Sequence, residues 1–253
     1  MVSFNPAITE KLNGLSENIL NGHYIFSRDL DEDYLAKRFA KPDAWGHNVS
    51  YKASEDPKHI QQYYKIRQEA YKILVNEHYY AGKDRYDDYS YQFLGLAGGN
   101  CIGGIRITVS TPEKPVDMPL ENDNFRIKEL YKEIDFSDLI YCEASRLALL
   151  PEFRNGAYLT ELFNESTTFS IDTLGIGLVF GRSDLLQTRK FQTRYRNMGF
   201  DLIIRHGMSV PIQTMEHMKL MLWAIDFTPD RRYTSILESY NKVAGMTKEP
   251  EFA

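Results

Sequence analysis

The chain has 253 residues, of which 43% are hydrophobic and 26% charged, a composition typical of a folded globular protein and unlike that of a disordered or disulfide-stapled one. Its 30 Lys and Arg against 35 Asp and Glu give a net charge of -5, which argues against nonspecific nucleic-acid binding, because such binding needs a broadly cationic surface. The sequence has neither an apolar run long enough to span a membrane nor a signal-peptide pattern at its start, so we expect a cytoplasmic protein without stable membrane insertion.

Two features of the composition bear on possible ligands. Cys101 and Cys142 are the only cysteines, and no Cys and His spacing offers zinc four ligands, so we expect buried thiols and no metal site. We also expect no permanently bound cofactor. Aromatic side chains make up 13% of the residues. They suit either a tyrosine-rich core or the wall of a pocket for an apolar ligand with a polar head.

The first 50 residues are predicted to form a helical extension, with helices at about 7 to 20 and 31 to 39. Asp56 and Pro57 then predict the start of a helix that runs to about Val75, because Asp favours the N-cap and Pro the first turn. Arg67 falls on the apolar stripe of this helix. Its guanidinium therefore either points inward and needs a carboxylate partner, or lies at the edge of the stripe in water.

The remaining predicted elements alternate between strands and helices. Strands at about 91–97 and 101–109 flank Gly98-Gly99-Asn100 and predict a β-hairpin. A short helix follows at about 126–133, then a strand at 138–149, a helix at 156–174, a strand at 176–182, a helix at 184–198, and strands at 200–205 and 217–227. We predict one domain over residues 51 to 228, with the extension at 1 to 50 before it and a tail at 229 to 253 that has room for one more helix.

Four short charged motifs follow one another along the chain. They are Arg67 with Tyr71, Asp84 with Asp87, Gly103-Gly104-Ile105-Arg106, and Glu143-Ala144-Ser145-Arg146-Leu147. Over about residues 60 to 206 they resemble the signature of the acyl-homoserine-lactone synthases and the related N-acyl amino acid synthases, a branch of the GNAT superfamily of N-acyltransferases. The resemblance implies the α/β GNAT fold, in which a splayed mixed central sheet is flanked by helices and holds an acyl thioester in the gap.

The charged residues also have physical requirements of their own. A charge within an apolar segment needs a partner, and three Arg with three carboxylates can form a closed network that orients a zwitterionic substrate. In a regular strand Glu143 and Arg146 would lie on opposite faces, so a bulge between them is required if both serve one site. The alternatives are ordinary surface salt bridges and, for Asp84 and Asp87, a solvated polar loop.

From these motifs we assign candidate roles. Glu143 is the expected base that takes a proton from the attacking amine, and Arg146 completes the catalytic pair, with Arg146 or Arg106 binding a substrate carboxylate. The expected substrate-binding residues are Arg67, Tyr71, Asp84, Asp87 and Arg106. Tyr195 resembles the superfamily tyrosine that protonates the departing thiolate and is a third candidate catalytic residue, although packing against the pantetheine arm is an alternative role.

The acyl donor has its own candidate residues. Arg154-Asn155-Gly156 stands where GNAT enzymes that use coenzyme A cradle its pyrophosphate at a helix N-terminus, but Tyr158 and Leu159 replace the small residues of that turn. This departure favours an acyl chain on the phosphopantetheine of an acyl carrier protein over acyl-CoA. We expect the phosphopantetheine to contact Leu147, Leu149, Arg154, Asn155 and Gly156.

A basic segment offers a docking face for such a carrier. Residues 182 to 205 hold six basic and two acidic residues in a chain that is acidic overall, and carrier proteins are usually acidic. We therefore predict carrier-protein docking at Arg182, Arg189, Lys190 and Arg194. A solvated basic helix is the alternative.

The acceptor is indicated by a departure from the resembled motif. Lactone synthases, which acylate S-adenosylmethionine, carry a Trp between the Arg-aromatic pair and the Asp pair, whereas this chain has His78, Tyr79 and Tyr80 there. The sequence thus predicts transfer of a fatty acyl group, expected to be long, from acyl carrier protein to the α-amine of an amino acid. The alternatives are an acyl-homoserine-lactone (autoinducer) synthase that uses S-adenosylmethionine, a small-acyl acetyltransferase, and a noncatalytic module that binds acyl groups or carrier protein.

Overall fold

The computed structural model describes residues 49–71, 82–121, 126–154, 156–209 and 220–243. Its strands are β1 (Val49–Ala53), β2 (Ser90–Ala97), β3 (Asn100–Ser110), β4 (Tyr141–Leu149), β5 (Leu178–Ser183), β6 (Leu202–Ser209) and β7 (Met221–Asp226). Its α-helices are α1 (Pro57–Tyr71), α2 (Ile127–Leu130), α3 (Gly156–Thr168), α4 (Leu185–Asn197) and α5 (Thr234–Val243). Short 3₁₀ helices lie at Arg85–Tyr89 and Pro151–Phe153, and a π-helical stretch, Phe169–Thr173, continues α3.

The strands form one mixed sheet in the order β1-β2-β3-β4-β5-β7-β6. Neighbouring strands are antiparallel except for β4 and β5, which run parallel and pair only from Tyr141 opposite Leu178 to Glu143 opposite Phe180. Beyond that point β4 continues along β3 to Leu149, and β5 continues along β7. The two central strands therefore splay apart immediately after Glu143.

The predicted start of α1 is confirmed. Asp56 accepts a hydrogen bond from the Lys58 amide at 2.9 Å through Oδ1, and Pro57 is the first residue of the helix. The predicted hairpin between β2 and β3 is confirmed as well. Ala97 pairs with Asn100, and the two residues between them, Gly98 and Gly99, have φ of +56° and +75°, which a two-residue turn of the favoured hand requires.

One strand was missed by the sequence analysis. β1 straddles the predicted end of the helical extension, and its burial alternates between partly buried and exposed residues, as expected of an edge strand with one face on the core. Val49, Tyr51 and Ala53 face that core. The helices predicted at about 7 to 20 and 31 to 39 lie outside the described residues.

The two faces of the sheet have different partners. On one face α3 and α4 cover a large apolar cluster that includes Ile107, Cys142 and Val179. On the other, α1 packs on Leu94 and Leu96, and α5 belongs to a cluster with β5 and β7. Alternation places Cys142 among the helices and Glu143 on the α1 side.

Both cysteines are buried free thiols, as predicted. No helix in the described ranges is long and apolar enough to cross a membrane. Those ranges also contain no cluster of His, Cys, Asp and Glu that could hold a metal ion.

Candidate active site

Arg67 points inward from α1 and is fully buried, which decides between the two positions that the sequence left open. Its guanidinium makes a bidentate ion pair with Asp87, with Nη1–Oδ1 and Nη2–Oδ2 distances of 2.5 and 3.1 Å. The rings of Tyr63 and Tyr64 lie 5.3 Å from its Cζ. Planar fork geometry of this kind makes the pair a rigid anchor between α1 and the turn that precedes β2.

The turn itself fixes the two aspartates. Asp84 caps the 3₁₀ helix by accepting from the Tyr86 amide at 3.0 Å, and Asp87 accepts from the Asp84 amide at 2.7 Å, a reciprocal capping box. The Asp87 side chain has no solvent exposure and that of Asp84 has 22%. The two carboxylates therefore belong to a buried site and not to a solvated loop.

Asp84 lies between three arginines. Its carboxylate accepts from Arg106 Nη1 at 2.5 Å and from Arg146 Nη2 at 3.1 Å, and it lies 3.7 Å from Arg67 Nη2. Burial raises the pKa of Asp84, but the three nearby positive charges outweigh burial and hold the pKa below its ordinary value. This carboxylate remains ionised and joins α1, β3 and β4.

Arg106, on β3, is buried between this pair and β4. Its Nε donates to Ser145 Oγ at 3.2 Å, and its Nη1 also lies 3.5 Å from Asp87 Oδ1. Gln92 on β2 donates to Asp87 at 3.3 Å. Contacts from three neighbouring strands thus meet at the two aspartates.

The bulge that the sequence required is present at Arg146. Opposite β3, the register places Ser145 at Arg106 and Ala148 at Gly104, so that Arg146 and Leu147 together face Ile105. Arg146 has a φ of +57°, in the left-handed region that side chains rarely adopt. The extra residue turns Arg146 towards Asp84 on the Glu143 side of the sheet.

Two tyrosines of α1 hold the bulged backbone in place. The Tyr63 hydroxyl donates to the Arg146 carbonyl at 2.5 Å, and the Tyr71 hydroxyl donates to the Leu147 carbonyl at 3.0 Å. The Arg146 Cζ lies 5.7 Å from the centre of the Tyr71 ring. From the sequence, Tyr71 was expected to bind substrate. The structure places both hydroxyls on the backbone that supports Arg146.

Glu143 is buried on β4 at the point where β4 and β5 separate. Its Oε2 accepts from the Leu120 amide at 2.5 Å, whereas its Oε1 is buried and has no hydrogen-bond partner within the described residues. Burial raises the pKa of Glu143 and is opposed by Arg182, Arg106, the Leu120 amide and Arg146. A buried carboxylate oxygen without a partner is able to accept a hydrogen bond from a ligand.

Arg182 lies away from the face on which the sequence analysis placed it. It belongs to β5, two residues beyond Phe180, and its partly buried side chain donates from Nη2 to the Pro119 carbonyl at 3.3 Å. Because side chains alternate along a strand, Arg182 lies on the same side of the sheet as Glu143. Among the nearby groups, the negative charge of Glu143 raises the pKa of Arg182 most strongly. Arg182 thus belongs to β5 and is partly buried, and it is not an exposed residue of α4.

Tyr195 lies at the same splay on the opposite side of the sheet. It is buried from α4 against a narrow cavity that Cys142, Ala144 and Val179 also line, and its hydroxyl contacts the side chain of Thr167. Burial raises the pKa of Tyr195, so its hydroxyl stays protonated. Glu143 and Tyr195 therefore flank the gap between β4 and β5 from its two sides.

The predicted donor loop connects β4 to α3. Leu149 is buried and Leu147 is partly buried, and Arg154 Nε donates to the Leu149 carbonyl at 2.9 Å. Gly156 begins α3, while Asn155 lies outside the described residues. The loop thus ends at a helix N-terminus, where free amides favour an anion.

The other predicted docking residues lie on α4. Arg189 and Lys190 are exposed, and Arg194 is partly buried, donates to Thr160 and lies 5.8 Å from the Phe163 ring. A groove of about 430 Å³ runs between α3 and α4. It is lined by Thr160, Asn164, Lys190, Thr193, Arg194, Asn197 and Met198.

Neither a protein-family model nor a curated protein sequence matches the chain. Solved structures do match. The CoA-dependent acyl-homoserine lactone synthase BjaI, with SAM and isopentyl-CoA, has a TM-score of 0.52 and 19% identity, over 79% of this chain and 90% of that chain. The acyl-homoserine lactone synthase LasI has a TM-score of 0.50 and 17% identity, over 76% of this chain and 94% of that chain.

FeeM, an N-acyl amino acid synthase from uncultured soil microbes, has a TM-score of 0.48 and 13% identity, over 76% of this chain and 98% of that chain. The fold is assigned from the two lactone synthases, whose TM-scores are 0.52 and 0.50. Together with the splay between β4 and β5, they confirm the predicted GNAT fold.

Proposed function

We propose that the protein is an N-acyltransferase that moves a fatty acyl group from an acyl carrier protein thioester to the α-amine of an amino acid. The observation that carries this proposal is the unpartnered, buried Oε1 of Glu143 at the gap between β4 and β5. A buried oxygen without a hydrogen bond is costly unless a ligand supplies the donor. An amine that approaches a thioester in the gap supplies such a donor.

The two sides of the gap suit the two substrates. Tyr195 and the N-terminus of α3 lie on the side of the helices, where we place the pantetheine arm. Glu143 and the arginine network lie on the α1 side, where we place the acceptor. The thioester carbonyl then lies in the gap, within reach of an amine bound at Glu143.

The chemistry needs no nucleophilic side chain. Glu143 takes a proton from the substrate ammonium, and the neutral amine attacks the thioester carbonyl, so that a C–N bond forms as the C–S bond breaks. Glu143 releases this first proton to solvent and then takes the second proton from the amine, while Tyr195 is the candidate donor to the departing thiolate and regains its own proton from solvent. Backbone amides of β4 beyond Glu143 have no ladder partner in β5 and are candidates for holding the oxyanion.

The buried arginine network would act through the shape of the site. Arg67 and Asp87 fix the turn before β2, Asp84 holds Arg106 and Arg146, and Tyr63 holds the bulge. Because these contacts join α1, β3 and β4, the network can keep the acceptor side rigid and open. Arg67, Tyr71, Asp84, Asp87 and Arg106, which the sequence predicted to bind substrate, are therefore proposed to position the site.

The donor side favours a carrier protein. Arg189 and Lys190 are exposed beside the groove between α3 and α4, and an acidic partner would be attracted there. Tyr158 and Leu159, near the start of α3, are bulky where a pyrophosphate needs close approach to the backbone. We therefore place carrier-protein docking at Arg189, Lys190 and Arg194.

A lactone synthase that uses S-adenosylmethionine is the second candidate. The likeness to BjaI, which was determined with SAM and isopentyl-CoA, favours it. The absent Trp in the segment that contains His78, Tyr79 and Tyr80 argues against it, and this segment lies outside the described residues. Both candidates share the acyl transfer and the use of Glu143.

Mass spectrometry of organic extracts from a bacterial host that expresses the protein tests the proposal. We expect an N-acyl amino acid in the wild-type extract and none in an extract from Glu143→Gln cells with the same amount of folded protein. An acyl-homoserine lactone together with methylthioadenosine would identify the second candidate. A binding module without catalysis would yield neither product while it still retained acyl carrier protein on a column.

A further inference from the structure

Arg182 is a partly buried cation with no carboxylate partner among the described residues. Within the described residues its guanidinium makes one hydrogen bond, from Nη2 to the Pro119 carbonyl at 3.3 Å, and no ion pair. Taking a guanidinium out of water is costly unless a negative charge compensates it. Burial correspondingly lowers the pKa of Arg182, and Arg146 and Arg106 lower it further, while Glu143 raises it.

The position of Arg182 relates it to the second unsatisfied group of the site. Glu143 and Phe180 are the last paired residues of β4 and β5, and Arg182 follows two residues later on the same side of the sheet. The positive charge of Arg182 lowers the pKa of Glu143, yet no hydrogen bond joins Arg182 to the free Oε1 of Glu143. A molecule with charges of both signs could satisfy the free carboxylate oxygen and the unpaired guanidinium together.

Arg106 and Arg146 already bind aspartates and are therefore less able to bind a substrate carboxylate. Arg106 is held by Ser145, Asp84 and Asp87, and Arg146 donates to Asp84 through both Nε and Nη2. From the sequence, one of these two arginines was expected to bind the substrate carboxylate. Their contacts with the aspartates give them a positioning role instead.

We infer that Arg182 binds the carboxylate of the acceptor while Glu143 Oε1 accepts from its α-ammonium group, so that the two residues select an α-amino acid head. This inference rests on the proposed function and names the residue that decides its substrate class. S-adenosylmethionine carries the same head, so Arg182 would serve either candidate acceptor. Pro119, on the loop that also supplies the Leu120 amide to Glu143, orients the guanidinium from behind.

The test compares an acid with its carboxamide. Purified wild-type protein is given dodecanoyl acyl carrier protein and an equimolar mixture of the twenty L-amino acids, with S-adenosylmethionine in a separate arm, and amide products are measured by mass spectrometry. The preferred acceptor is then compared with its own carboxamide, which keeps the amine and lacks the carboxylate. We expect Arg182→Met to raise the KM for the free acid by about 10- to 100-fold and to abolish the preference for acid over carboxamide.

Two further variants separate recognition from folding and from donor docking. Arg182→Lys keeps the charge but loses the planar fork, so it should raise the KM for the acid by a smaller factor and leave turnover of the carboxamide unchanged. Arg189→Met, on the exposed face of α4, should leave the ratio of acid to carboxamide at the wild-type value. Should Arg182→Met fail to fold, the Lys variant alone decides the inference.

Failure of carboxylate binding by Arg182 and failure of the proposed acyltransferase function give different results. If the wild type acylates amino acids and the variants of Arg182 keep the wild-type preference for the acid, Arg182 does not bind the carboxylate. A rise confined to the KM for the carrier protein would return Arg182 to donor docking and overturn the inference. If the wild type acylates no acceptor in either arm, the proposed function itself fails.

Discussion

Breaking the buried ion pair between Arg67 and Asp87 should lower the free energy of unfolding far more than breaking an exposed ion pair. Arg67→Met leaves the Asp87 carboxylate buried, and its remaining partners among the described residues are Gln92 at 3.3 Å, Arg106 at 3.5 Å and the Asp84 amide at 2.7 Å. Removing one member of a buried pair costs about 3–5 kcal/mol, and these remaining contacts favour the lower end of that range. A protein with roughly 5–15 kcal/mol of stability would lose a large part of it.

Urea and thermal unfolding of Arg67→Met, Asp87→Asn and the double variant measure this effect. At about 2–4 °C per kcal/mol for a domain of this size, a loss of about 3 kcal/mol lowers the Tm by roughly 6–12 °C. The double variant should lose less than the sum of the singles, with a coupling free energy of about 1–3 kcal/mol, because it leaves no unpaired charge. The matched control is Lys83→Met, since Lys83 and Asp88 form a 2.6 Å ion pair with both side chains at least half exposed.

The control should leave the unfolding midpoint unchanged, because solvent screens an exposed pair. A loss of less than about 1 kcal/mol in Arg67→Met, or strictly additive single variants, would show that the pair is hydrated. The arginine network could not then be the rigid frame of the site.

Three further predictions concern the site itself. Burial raises the pKa of Glu143 above its value in the unfolded chain, so the wild type loses stability as the pH rises through the pKa of the folded state. Glu143→Gln should therefore have a higher Tm than wild type at pH 8, and the difference in Tm should vanish in acid. Tyr71→Phe removes the hydrogen bond to the Leu147 carbonyl, and it should cost about 1 kcal/mol in urea unfolding and lower kcat more than the KM for the carrier. Replacing Arg189, Lys190 and Arg194 together by Met should raise the KM for acyl carrier protein in steady-state assays, by a factor that shrinks as salt is added, and an unchanged KM would remove the docking surface.

The elements that the sequence predicted well carry strong local signals. Asp56 and Pro57 start a helix through the cap and the fixed φ of proline, and Gly98 and Gly99 supply the two positive φ values of a tight hairpin. β1 lacks such a signal, because five residues with one half-buried face resemble many loops. Its assignment depends on pairing with β2, which lies about forty residues away in the chain.

Within the site as well, the residues with a local sequence signal were predicted and the others were not. The motifs located Glu143, Arg146 and the aspartates, and the need for a bulge followed from strand alternation alone. Whether Arg67 points inward could not be decided, because a long side chain at the edge of an apolar stripe can extend to water. Arg182 was assigned to carrier docking because basic residues were counted along one segment of sequence. In the structure β5 ends at Ser183 and α4 begins at Leu185, so Arg182 lies in the sheet and the other basic docking residues lie on the helix.

The central claim is that Glu143 at the gap between β4 and β5 takes the proton of an amine that is being acylated. The most direct measurement is amide formation by purified protein from dodecanoyl acyl carrier protein and the twenty L-amino acids, with release of the carrier thiol followed in the same reaction. The account predicts that wild type forms one amide for each thiol released, and that Glu143→Gln, folded and at least as stable at pH 8, forms amide at least about 100-fold more slowly. Amide formation by Glu143→Gln at the wild-type rate, or thiol release by wild type without any amide, would contradict it.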